Sequence, residues 1–231
     1  SGHGNMDQVA FDKNSYQKGL GASLAKQGFT VYVMENRGMG KLSYLGDHMR
    51  IDAVARMLGG SWYGEITTDA LFLLEMVNSK NYSNGYIGVG GISTGGALSL
   101  FTSAIDQRIT STFVQGYLGS YKTTFGSRAN HHECNNIFDI INKFDMADIG
   151  ALIFPRSVMY VNGDNDTFYP EDAAKAFELI KNKYDSGGAV NEILFKVPKN
   201  TKHELSVNLA LDYFNDSLIK FNHRKLLKQE K

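Results

Sequence analysis

The sequence predicts an α/β fold, a mostly parallel sheet with helices on both of its faces. Two observations carry that expectation. Apolar runs of strand length alternate with amphipathic runs of helix length from one end of the chain to the other. The strand-like runs are apolar nearly throughout, as strands covered on both faces are. The 231 residues suffice for one sizeable core. With no linker, repeat or low-complexity tract, residues 1–231 read as a single domain.

The elements follow in order. SGHGN, at 1–5, reads as the loop after a buried strand although no strand precedes it, so the sheet is expected to lack its N-terminal strands. Residues 15–27 read as a helix closed by Gly28, a residue suited to a left-handed cap. FTVYVMENRG has the β-branched and aromatic content of a strand and ends in turn chemistry. Residues 41–62 read as a loop, and 64–79 as a helix with Ile66, Ala70, Leu73, Leu74 and Val77 at helical spacing. YIGVGGIS is a strand, TGGALSLFTSAID a helix and ITSTFVQGYLG a strand. Residues 121–155 form an insertion, with helical pieces at 137–144 and 146–153. RSVMYVNGD is the next strand. PEDAAKAFELIKNKY is a helix entered through Pro170, where a missing N–H costs nothing. NEILFKVP is the last strand and 205–222 the last helix.

Composition excludes several function classes. The 24 basic side chains are balanced by 24 acidic ones, so no broad field draws the chain to nucleic acid or to an anionic membrane. The basic run HRKLLKQEK reads as a solvated helix end. No apolar run approaches the ~18 residues that span a bilayer, so no membrane insertion is expected. The single cysteine, Cys134, excludes an internal disulfide and a cysteine-rich zinc site. No signal-like segment opens the chain. Compartment and oligomeric state stay open.

The strongest motif is Gly91-Ile92-Ser93-Thr94-Gly95, between an apolar strand and an amphipathic helix. That context makes a strained strand-to-helix turn with the serine hydroxyl lifted above the sheet edge. A phosphate loop would need a lysine in the turn or G-x-G-x-x-G spacing, and neither is present. A serine nucleophile needs a base, and the base needs a group to hold its tautomer. After the strand SVMYV come Asp164 and Asp166. Asp166, four residues before Pro170, is the expected acid, and Asp164 reads as turn chemistry. Of six histidines, His203 alone follows the acid on a loop after a strand, and it is the expected base.

The oxyanion would be met by the backbone N–H of Thr94 and by one from the SGHGN loop, where His3 and Asn5 are the candidates. The side chain of His3 is expected to be incidental. No metal or cofactor is expected. No carboxylate or histidine follows His3 at ligand spacing, and the adjacent His131 and His132 near Cys134 diverge on any regular backbone. Tyr117, Tyr121, Phe168 and Tyr169 are placed to line an acyl or sugar pocket, and Trp62 to pack.

Several segments together resemble one family. SGHG matches a HGHG-type loop with Ser1 in place of the first histidine. GSWYGEITTDALFLLEMVNS resembles the helix leading to the nucleophile strand, and GISTGG the elbow. HHECN and FDMADIGALIFPRSVMYVNGDNDTFYP resemble an H-x-x-C-N loop and a D-M-x-D-I-x-x-L-I-x-P-R segment running into the acid turn. The chain thus resembles the acetylxylan-esterase and dienelactone-hydrolase-like branch of the α/β-hydrolases. The resemblance implies an ester hydrolase with Ser93, Asp166 and His203 as its triad. It also implies a small ester as substrate, acetyl on a carbohydrate above all. The polar side chains along 121–155 (Lys122, Arg128, Glu133, Asp139, Lys143, Asp145) argue against a lipase-type lid. A prolyl-oligopeptidase-like peptidase and a non-catalytic binding module of the same fold remain as alternatives.

Overall fold

In a computed structural model, which describes residues 1–79, 83–126 and 133–229, four strands form one parallel sheet in the order β1-β2-β3-β4. They are β1 (Gly88–Ile92), β2 (Ser111–Gln115), β3 (Ser157–Val161) and β4 (Ile193–Lys196). Every crossover moves one place along the sheet, so all four strands end at the same edge. The helices are α1 (Met6–Ala10), α2 (Leu20–Lys26), α3 (His48–Met57), α4 (Trp62–Ser79), α5 (Thr94–Ile105), α6 (Met146–Ala151), α7 (Pro170–Ser186) and α8 (Val207–Gln229). No described helix is long and apolar enough to cross a membrane.

The core divides by the period-two alternation of the strands. Val114, Val158 and Tyr160 face one cluster with residues of α4, α5, α6 and α7. Phe113, Met159 and Val161, one residue out of step, face a second cluster with Leu20 of α2 and Ala210, Tyr213 and Phe214 of α8. Both faces of the sheet are therefore covered, which is why β2 and β3 carry no exposed position.

Four segments differ from the sequence expectations. Residues 29–36 take no place in the sheet. Strand propensity is realised only against a neighbour that supplies the ladder, and among the described strands β1 pairs with β2 alone. The helix expected over 15–27 starts at Leu20, because Lys18 and Gly19 adopt left-handed φ values of 54° and 58°. The expected loop 41–62 contains α3, whose first turn is capped by the Asp47 carboxylate on Met49 N at 2.9 Å. Residues 137–144 hold only a 3-10 turn, Ile140–Asn142, since Asp139 at φ 59° interrupts a continuous helix.

The insertion is also less polar on its surface than its sequence suggests, with Phe138, Ile141, Phe144 and Leu152 exposed. The last helix begins at Val207 and runs beyond 222 to Gln229.

Candidate active site

Three loops leave the carboxyl edge of the sheet and converge. The first is the turn after β1, where Ser93 sits at φ 60°, ψ −125°. A β-carbon at φ 60° is sterically costly, and such strain persists only where the surroundings impose it. Here the imposition is visible. A β-carbon on Gly91 would lie 2.8 Å from the Gly95 carbonyl carbon, so only glycine lets strand and helix meet this closely. Ser93 N donates to the Gln115 carbonyl at 2.9 Å, tying the turn to β2. Ser93 is half-buried among buried neighbours.

The second loop follows β3. Asp166, with its side chain fully buried, accepts from Phe168 N at 2.9 Å and pairs with His203 Nδ1 at 2.7 Å. A carboxylate on Nδ1 fixes the proton there and leaves Nε2 as the ring's acceptor. Asp164 does something else. It accepts from Thr201 N at 3.0 Å, joining the acid loop to the His203 loop. These backbone donors, that of Asn200 first, hold its carboxyl below the usual range.

The third loop follows β4. Gln115 is fully buried and grips it: Nε2 donates to the Glu204 carbonyl at 2.7 Å and Oε1 accepts from Ser206 N at 2.8 Å. Leu205 N donates to the Tyr16 carbonyl at 2.8 Å. The His203 ring lies between those of Tyr16 and Phe168, with centroids at 5.8 and 6.0 Å.

Tyr16 escaped the sequence reading, which placed it inside a helix. Its hydroxyl donates to the His3 carbonyl at 2.7 Å. Burial pushes the phenol well above its ordinary pKa, so it keeps its proton. Among the described residues, no hydrogen bond joins Ser93 Oγ directly to His203. Serine–histidine contacts commonly tighten only when substrate binds.

The SGHGN loop sits on the elbow. Gly2 N donates to Gln17 Oε1 at 2.7 Å, and the Asn36 side chain donates to the Ser1 carbonyl at 2.9 Å. The Gly2 amide is thereby engaged. Residues 29–36, though outside the sheet, thus end with a side chain that anchors this loop.

The His3 side chain is not incidental. Its Nδ1 lies 2.8 Å from Thr94 Oγ1 and its Nε2 3.3 Å from Cys134 Sγ. His3, His48 and Cys134 hold their ligand atoms within 4.8 Å of one another. Spacing along the chain gave no sign of this, because the three come from segments far apart. His131 and His132 lie outside the described residues.

Of the aromatics expected to line a pocket, Tyr117, Tyr121 and Phe168 are buried core residues, and Tyr169 alone is exposed. Trp62 packs at 0% exposure, with Nε1 donating to the Arg37 carbonyl at 2.8 Å. A cavity of about 530 Å³ opens at the opposite, amino edge of the sheet, beside Tyr86, Ser157 and Glu192. In open parallel sheets ligands bind at the carboxyl ends of the strands, so that cavity is not the candidate site.

Comparison with known proteins gives the fold. No protein-family model matches the chain and no curated protein matches it in sequence. Solved structures do. A Bacteroides fragilis protein described as a candidate acetyl xylan esterase aligns with TM-score 0.70 at 16% identity, over 96% of this chain and 69% of its own. A glucuronoyl esterase mutant from Sporotrichum thermophile, in complex with methyl 4-O-methyl-β-D-glucopyranuronate, aligns with TM-score 0.57 at 17% identity, over 79% and 56%. A glucuronoyl esterase from Solibacter usitatus aligns with TM-score 0.57 at 13% identity, over 68% and 49%. The chain spans 43% and 35% of two further esterases that it matches. At these identities the likeness speaks for architecture: the chain has the α/β-hydrolase fold that these esterases share.

Proposed function

We propose that the protein is a serine esterase that cleaves a small carboxylic ester through an acyl-enzyme, with a carbohydrate ester as the natural substrate class. The observation that carries this reading is the strained Ser93 at the same sheet edge as the 2.7 Å His203–Asp166 pair. Strain at a serine, and a histidine whose tautomer a buried carboxylate fixes, are what nucleophilic acyl transfer requires.

In this reading Ser93 Oγ attacks the ester carbonyl carbon and its proton passes to His203 Nε2. The carbonyl oxygen becomes an oxyanion, met by the backbone N–H of Thr94 at the start of α5 and by that of His3. Collapse breaks the bond to the alkoxy oxygen, which takes the proton from His203 and leaves as the alcohol. Water repeats the sequence on the acyl-enzyme, with His203 again accepting and returning one proton, and the acid departs. Asp166 stays ionised throughout and holds the imidazolium.

Carbohydrate esters are favoured because the structures sharing the fold carry such names. The test is a series of p-nitrophenyl esters of rising acyl length. We expect kcat/KM to fall from acetate or butyrate to chains of eight or more carbons, with no jump at the micellar threshold. A preference for long chains would transfer the acyl site to the exposed apolar side chains of the insertion and end the small-ester reading.

A further inference from the structure

We infer that His3, His48 and Cys134 form a binding site for a soft divalent transition metal of the zinc class. Its ligands include neither Ser93 nor His203, and the inference stands whether or not those residues do ester chemistry. Two imidazoles and a thiol are the donor set that zinc selects over harder cations. Their ligand atoms lie within 4.8 Å of one another. Nitrogen and sulfur bound to one tetrahedral zinc sit roughly 3.5 Å apart, given bonds of about 2.0 and 2.3 Å. His3 Nε2 and Cys134 Sγ are already at 3.3 Å.

The surroundings hold these ligands in orientation. Thr94 Oγ1 at 2.8 Å binds the far nitrogen of the His3 ring, and the Asp47 carboxylate lies 3.4 Å from His48 Nδ1. Hydroxyl and carboxylate partners of this kind fix the ring of a ligand histidine and raise its basicity. Trp62 packs against both imidazoles, with ring centroids at 5.9 and 5.3 Å, and so limits their rotation. Cys134 is fully buried while the two histidines are half-buried. The thiol and the His48 Nε2 atom are both buried, as the ligands of a closed site are.

Binding is an exchange of ion for proton without redox change. The Cys134 S–H bond breaks, a sulfur–metal bond forms, and the proton shared with His3 Nε2 leaves to solvent. The ion would then join three segments distant in sequence: the SGHGN loop, α3 and the 133–135 turn of the insertion.

Cobalt(II) titration of the whole chain tests this. We expect one cobalt per chain with a thiolate-to-cobalt charge-transfer band, displaced by zinc, and zinc protection of Cys134 from alkylation mapped by mass spectrometry. Cys134→Ser should lose the band, and His48→Asn should weaken cobalt binding at least tenfold, while the exposed control His223→Asn should bind as the parent does. Absence of the band in the unmodified protein overturns the proposal even if a variant fails to fold. So does unchanged cobalt affinity in both cluster variants. Because the readout is metal binding and not turnover, its failure is distinct from failure of the esterase reading.

Discussion

Two histidines meet the Ser93 turn from opposite ends of the chain, and they are held differently. His203 is bound by a carboxylate 37 residues away, on the loop of the neighbouring strand. His3 is bound by a hydroxyl 91 residues away and a thiol 131 residues away. The first pair follows from strand order alone, since a parallel sheet wound one strand at a time delivers successive loops to one edge. The second depends on how the insertion and α3 pack over the SGHGN loop. A charged partner fixes a tautomer for proton transfer, whereas a hydroxyl and a thiol fix a ring in place. The two halves of the site therefore differ in what their loss should cost.

Asp166→Asn should produce the largest of these losses. The amide reverses the tautomer preference of His203, and a ~10⁴-fold fall in kcat follows in serine hydrolases built this way. Asp164→Asn, which touches only the junction of the two loops, should cost far less. Steady-state kinetics on one ester ranks them, and the reverse order would mean that the acid has been misassigned.

Gln115→Leu should come next. It strands the Glu204 carbonyl and the Ser206 N–H, at about 1–3 kcal/mol for each group left buried and unpaired. A chain of this size loses about 2–4 °C in Tm per kcal/mol. We expect a clear drop in Tm together with a lower kcat, because the His203 loop loses its grip on β2. An unchanged Tm would show that the clamp carries no stability.

The smallest effect belongs to the His3 half. Thr94→Val removes the 2.8 Å hydrogen bond to His3 and a long 3.5 Å one from Tyr63, and keeps the backbone N–H proposed to meet the oxyanion. A typical net hydrogen bond of ~1 kcal/mol predicts a fall of about fivefold in kcat with little change in KM. A loss as deep as that of Asp166→Asn would mean that the two halves do not differ as described.

The same contrast explains what could be read in advance. The elbow was legible because Gly91, Ser93 and Gly95 encode a local turn between two elements, and the alternation of elements gave the sheet its direction. Residues 29–36 have the composition of a strand and take no place in the sheet, since composition carries no information about a neighbour. Tyr16 was missed because residues 15–27 look helical. Left-handed Lys18 and Gly19 instead delay the helix start to Leu20, and Tyr16 and Gln17 are turned toward the loop that they hold. Tyr117, Tyr121 and Phe168 stand next to strand ends as a pocket lining would, yet they are buried in an aromatic cluster with Tyr63, Phe101 and Phe125.

Whether Ser93 is the nucleophile is tested most directly by treating the protein with a fluorophosphonate and mapping the adduct by mass spectrometry. The strained turn beside the His203–Asp166 pair predicts one phosphonylated residue, Ser93, with labelling and ester turnover both abolished in Ser93→Ala. An adduct on another serine, or turnover surviving in Ser93→Ala, would contradict it.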